Sequence, residues 1–193
     1  MRDPHFVNIK SHKKWNTSQI DAAGFSKRFD IDNPLYRDFS AAYSDYMEMT
    51  AAVINKGLEF YDHISYDVLD NEEVEANVHL HVGDVVDIKE EEEENSFAII
   101  RAIVFHKANN VNMYIFLVID WFQVISGKDK LLNCLYYMLQ KPEEMHWRCV
   151  YPVTLVDHTL NTHFVHCCTM SCMGKHGENN RCYICNDFFY NTV

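Results

Sequence analysis

The sequence predicts a mainly β fold with flanking helices: several strands in a small barrel-like sheet, with an N-terminal helix docked on the outside. Three observations carry this reading. After Gly57, stretches dense in Ile, Val, Phe and Tyr recur between polar breaks, the pattern of strands buried on both faces. Before Gly57, one segment repeats apolar residues every three or four positions, as a helix with one buried face does. The chain has 193 residues, 48% of them hydrophobic, with only 6 Gly and 4 Pro, so it is long enough and apolar enough for one substantial core.

Residues 1–32 show little periodicity and read as an N-terminal extension, partly ordered by docking. A helix is predicted over 34–56. Asn33 suits the N-cap, because its side chain can accept a bond from an unsatisfied amide of the first turn, and Pro34 suits the first helical position. Leu35, Phe39, Tyr43, Tyr46, Met47, Val53 and Ile54 give the helix one apolar face, and Gly57 is placed to end it. Strands follow at "EFYDHISYDVL", at "VEANVHLHVGDVVDI" (bent or broken at Gly83), at "SFAIIRAIVFH" and at "VNMYIFLVIDWF". "KDKLLNCLYYMLQ" reads as a second helix, ended by Pro142, and "WRCVYPVTLVDH" and "THFVHC" supply two more short strands. The helix at 34–56 and the sheet from about 58 to 193 form one domain, 33–193.

The formal net charge of −11 argues against nucleic acid as a direct partner and for a basic peptide. Glu90–Glu94 read as a solvated connection between strands, since five adjacent carboxylates resist burial, and as a loop that helps attract a basic ligand. The N-terminus lacks an apolar core of signal-peptide length, and the longest apolar run, "MYIFLVI", is strand-sized, so no membrane association is expected. The expected compartment is the nucleus, with the cytoplasm as the alternative. Lys10, Lys13 and Lys14 form either part of an import signal or an ordinary solvated basic patch.

"HLHVGDVVDI", then "SFAIIRAIVFH", then "YIFLVIDWF" resemble, in order and spacing, the bromo-adjacent homology (BAH) domain. The matching features are Gly83-Asp84 before a β-run, Phe97 followed by small or apolar residues and Arg101-Ala102-Ile103, and Trp121-Phe122 closing the next strand. "RCVYPVTLVDHTLNTHFVHC" and "YICNDFFYN" look like the later strands and closing segment of that family. The resemblance covers roughly residues 58–193. It implies a distorted β-barrel serving as a protein-interaction module in chromatin, in some members through an aromatic cage that holds a methylated lysine of a histone tail. If Ala108–Asn110 form a three-residue hairpin loop, Phe97 falls opposite Trp121 on one face, and the two rings can share a pocket for a cation. The predicted ligand-binding residues are Phe97, Trp121, Phe122 and Gln123. Cage-bearing members often carry an aromatic residue where Gln123 stands, so a third wall falls to Tyr66, Phe122 or Trp147.

Five of the 7 cysteines lie in the last 27 residues. Thiolates and imidazoles at short spacing suit tetrahedral zinc, and the candidate ligands are Cys168, Cys172, His176, Cys182 and Cys185. The alternatives are a zinc-stabilised module that binds protein or nucleic acid through this tail, or cysteines that pack as small hydrophobes with no cofactor. The odd cysteine count argues against a disulfide framework. No Gly-rich phosphate loop, nucleophile elbow or HExxH motif is present, so the chain is not expected to be an enzyme.

Overall fold

In the structure, a computed structural model, the described residues are 8–16, 18–19, 34–48, 58–70, 73–89, 96–107, 113–131, 133–141, 148–158, 162–166, 177–178 and 181–185. Strand β1 spans Asn8–Lys14, helix α1 Pro34–Met47, β2 Leu58–Asp70, β3 Glu73–His81, β4 Val85–Ile88, β5 Ser96–Lys107 and β6 Met113–Lys128. Then come β7 (Leu135–Leu139), β8 (Val150–Pro152), a single 3-10 turn (Val153–Leu155), β9 (Phe164–His166) and β10 (Tyr183–Cys185). The fold is mainly β, as expected. Its strands form one antiparallel sheet in the order β1-β2-β5-β6-β7-β10-β9, with β3 on β2, β4 on β5 and β8 on β6. The distorted barrel expected from the sequence is corrected: β1 and β9 stand at opposite ends of the strand order and do not pair, so the sheet is open. Closure requires the edge strands to meet. Here the β1 edge carries exposed lysines, a device that keeps sheet edges from pairing.

Strand β5 from Ala98 to His106 and β6 from Tyr114 to Phe122 are mostly buried because the sheet is covered on both faces there. One core gathers Trp15, Phe60, Ala102, Val104, Tyr114, Phe116 and Val118 beneath Leu35, Phe39, Ala42, Tyr43 and Met47 of α1. The other face gathers Ile64, Leu80, Ile100, Ile103, Phe105, Ile115, Leu117, Ile119, Trp121 and Tyr151. Tyr43 has its ring 4.9 Å from Phe116 and 5.5 Å from Tyr114, and its hydroxyl meets Nδ1 of the fully buried His106 at 2.6 Å. Burial holds the Tyr43 hydroxyl well above its usual pKa. At its outer side α1 grips the approach to β8: Asp38 accepts both the N–H and the thiol of Cys149, at 2.9 and 3.1 Å, and Asp45 pairs with Arg148.

Two local readings change. The first helix ends at Met47, short of the predicted 56, because Glu48 takes a left-handed conformation (φ 50°) that closes it; residues 49–57 lie outside the described residues. The predicted helix over "KDKLLNCLYYMLQ" is a turn followed by strand β7. Asp129 organises the turn: its side chain accepts the Leu131 N–H, its carbonyl accepts the Asn133 N–H, and its own N–H donates to the Cys134 carbonyl. Leu135–Leu139 then pair with β6, and β10 takes the other edge at Tyr136 and Tyr137. Ladder bonds on both edges outweigh the helical spacing of the leucines, and Leu131, in the turn, is 94% exposed.

Strand β1 lies within the stretch read as an extension. Its lysines lie on carboxylates of β2: Lys10 on Asp67 at 2.8 Å, Lys13 on Asp62 at 3.7 Å and Lys14 on Glu59 at 2.6 Å. Trp15 anchors the strand, stacking on Phe60 and donating its backbone N–H to the Phe60 carbonyl. The Lys14 and Tyr61 bonds lower the Glu59 pKa, and the Lys10 and Asn77 bonds lower that of Asp67.

Two outcomes are expected. Phe39→Ala should cost about 3–5 kcal/mol in urea unfolding, because the ring is fully buried against Phe116. The two carboxyls have folded pKa values below their unfolded ones. Their stabilisation of β1 is therefore complete above the ordinary carboxylate range and is lost as pH falls through the folded values. Hydrogen-exchange protection factors in β1, corrected for the intrinsic exchange rate at each pH, should fall on acidification before those of β5 and β6 do.

Candidate peptide-binding cleft

The second-face core and the candidate site both follow from a fork between β2 and β5. The strands pair only through Leu58–Tyr61 and Ile103–His106. Beyond that point β2 takes β3 on the same edge, through His63–Asp70, and β5 takes β4 through Ser96–Ile99. The link between β3 and β4 is fixed at the crotch. Val82 N–H donates to the Asp62 carbonyl at 2.9 Å, Gly83 N–H to the Ile100 carbonyl at 2.8 Å, and Ile100 N–H to the Asp84 carbonyl at 2.9 Å. The turn needs Gly83 because its φ is +98°, a conformation side chains disfavour, although a Cβ there would meet no atom within 4 Å. Asp84 closes the turn by accepting the His81 N–H at 2.7 Å.

From Gly83 the two strands diverge and leave a cleft of about 580 Å³ between them. Five consecutive residues of β3, Ala76–Leu80, line it. Since successive side chains point to opposite faces, the edge of the strand itself borders the cleft. Among the described residues β3 pairs only with β2, so this edge has no partner strand. The opposite wall is the segment after β8, bound to the far end of β4 by Lys89 N–H to the Leu155 carbonyl and Asp157 N–H to the Asp87 carbonyl. That wall carries Asp157, His158 and, beyond 159–161, Thr162, His163 and Phe164.

The cleft is acidic. Asp84 and Asp157 line it, and Glu75 stands at its rim, 3.6 Å from Nε2 of His158. That distance is too long for a hydrogen bond, and this buried nitrogen has no hydrogen-bond partner among the described residues. Behind the wall, Lys89 pairs with Asp157 at 3.4 Å. Asp87, 6% exposed, has its pKa raised chiefly by burial; the Ser96 N–H bond and Lys89 act against this shift, and the charge of Asp157 adds to it.

The predicted aromatic pocket is not assembled, because Phe97 and Trp121 lie on opposite faces. Ala98 sits opposite Trp121, where Phe97 was expected. Two things displaced the register: the connection after Lys107 runs to Met113 instead of closing at Asn110, and a bulge at Arg101 shifts the pairing by one residue. A one-residue shift moves every side chain to the other face. Trp121 is core, 4% exposed, edge-on to Tyr151 at 5.4 Å, with its N–H on the Arg148 carbonyl at 2.7 Å. Phe97 packs instead with Tyr137 and Phe164, with centroids 5.0–5.8 Å apart. In that triad ring edges occupy the faces a cation would need. Phe122 stacks on Phe164 at 4.5 Å, Gln123 lies opposite Met138, and Tyr66 is buried. Trp147 and Glu90–Glu94 lie outside the described residues.

Of the candidate zinc ligands, Cys168, Cys172 and His176 also lie outside the described residues. Cys182 and Cys185 are half-buried at β10, and no group of three or more potential ligands is clustered for a metal among the described residues. Sequence reasoning missed the cleft residues Asn77, His79, His158 and His163. The available signal was the break at Gly83-Asp84, which splits one apparent strand into two with diverging partners. No protein-family model matches the chain, and no curated protein matches it.

Asp87 supplies a test of the electrostatics. Its folded pKa lies above the unfolded one, so its ionisation costs stability as pH rises through the folded value. Asp87→Asn keeps an acceptor for the Ser96 N–H and removes the charge. The variant should be at least as stable as the parent at pH 7 in urea unfolding, and any gain should shrink as pH falls into the ordinary carboxylate range.

Proposed function

We propose that this protein is a chromatin-associated, nuclear interaction module that binds a Lys/Arg-rich segment, such as a histone tail, as a strand added to the unpaired edge of β3. The observation that carries the reading is that edge, bordering an acidic cleft of about 580 Å³, within the ~300–1,000 Å³ usual for ligand sites. An extended peptide laid along β3 satisfies backbone groups that otherwise face water, the usual basis of strand addition. Glu75, Asp84 and Asp157 attract basic side chains, and the net charge of −11 steers a cationic partner from a distance. The chromatin setting rests on the BAH-like order of motifs, and recognition rests on backbone pairing and charge, with no aromatic cage.

Strand addition has a signature. Only alternate residues of an added strand bond to the sheet edge, so N-methylation of one alternate set of peptide amides should abolish binding while the other set is tolerated far better. Titration calorimetry with a lysine-rich histone-tail peptide should also show affinity falling as salt rises. Glu75→Gln and Asp84→Asn should each weaken binding about 1.5- to 5-fold, the scale of exposed ion pairs at about 0.2–1 kcal/mol. Equal tolerance of both N-methylated sets, or salt-independent affinity, overturns the reading.

A further inference from the structure

A second cavity, of about 290 Å³, opens on the other side of the aromatic triad, and Cys134 and Cys185 both line it with Phe97, Lys128 and Tyr137. We propose that these two cysteines form a site of oxidative modification at which a peroxide joins them as a disulfide. The inference is independent of the peptide-binding reading.

The strand register brings the two residues together. Tyr183 pairs with Tyr137 and Ile184 with Tyr136, so Cys185 falls opposite Leu135, one residue from Cys134. Neighbouring strands about 4.8 Å apart, offset by one residue of about 3.3 Å, put the two Cα atoms roughly 6 Å apart, inside the ~4.4–6.8 Å range that a disulfide spans. In a regular strand Cys134 would point away from its diagonal neighbour. It lies just before β7, however, directly after Asn133, whose left-handed conformation (φ 55°) turns the chain, and both residues line the same cavity.

The nearer sequence pairing, Cys182 with Cys185, looks like a two-residue-spaced redox motif. Strand β10 is extended there, which holds residues three apart at roughly 10 Å, too far for a bridge. Cys134 is buried at 7% exposure, but a cavity of 290 Å³ is many times the ~30 Å³ share of a water molecule, so a small peroxide can reach it.

The chemistry balances. The thiolate of Cys185, the more exposed residue, attacks one peroxide oxygen. The O–O bond breaks, leaving a sulfenic acid and hydroxide, which takes a proton to become water. The thiolate of Cys134 attacks the sulfenic sulfur and displaces a second hydroxide, and the S–S bond forms. Two thiols and one hydrogen peroxide give one disulfide and two waters; the sulfurs lose two electrons and the peroxide gains them.

The test is hydrogen peroxide titration of the reduced full-length chain, followed by proteolysis and mass mapping without reduction. The expected product is a linked pair of peptides carrying Cys134 and Cys185, reversed by dithiothreitol, with a raised Tm for the oxidised protein. In Cys134→Ser the reaction should stop at a sulfenic acid on Cys185 that dimedone traps. Linkage of Cys185 to a different cysteine, or reduced Cys134 and Cys185 after other cysteines of the chain have oxidised, overturns the proposal. None of these readouts involves a peptide ligand, so failure here leaves the β3 edge untouched.

Discussion

At Arg101, strand β5 carries one residue more than β6 opposite it. That bulge governs the packing on both faces. Ala102 and Val104 pack beneath the helix, while Ile103 and Phe105 point to the other face. Without the bulge, alternation would send Ala98 and Ile100 to the helix face as well. With it, they join Ile103 and Phe105 in the second core. Trp121, opposite Ala98, is drawn into that core, and Phe97 is turned to the outer cluster with Phe164. The bulged residue bonds through its guanidinium to Asp120 at 2.6 Å and Glu178 at 3.2 Å, which ties the C-terminal segment to the centre of the sheet.

An acidic chain has to place its carboxylates where they do not repel one another, and most of the described ones have an assigned cation or donor. Glu59, Asp62 and Asp67 of β2 face the lysines of β1, Asp45 faces Arg148, and Asp38 holds two donors of Cys149. The wall of the cleft is different. There Asp87 and Asp157 face one lysine, Lys89, and burial works against ionisation of Asp87. The basic ligand proposed above would approach this wall beside a strand edge with backbone groups to offer.

The aromatic residues serve two separate purposes. Phe39, Tyr43, Tyr114 and Phe116 interlock edge to face under α1 and fix the helix to the sheet. Phe97, Phe122, Tyr137, Phe164 and Tyr183 hold together the β7-β10-β9 end of the sheet, whose strands of 5, 3 and 3 residues are too short to be stable through ladder bonds alone. Phe164 faces both ways: it borders the cleft and contacts the rings that wall the thiol cavity.

The sequence by itself determined the element types wherever periodicity was long and uniform. The long strands β2, β5 and β6 and the start of α1 at Pro34 follow from apolar spacing and local punctuation, and Gly83 marked the break between β3 and β4. Short elements were less legible: Leu135–Leu139 carry a spacing that suits helix as well as strand, and only pairing on both edges decides it. Register, closure and the cleft belonged to the tertiary structure alone. A single bulge leaves no mark in composition, yet it reverses which side chains share a face, and this separated Phe97 from Trp121. Whether β1 and β9 meet depends on accumulated twist and on contacts between residues far apart in the chain. The cleft exists because β2 and β5 part company and their new partners diverge, a relation among four strands that no local stretch of sequence encodes.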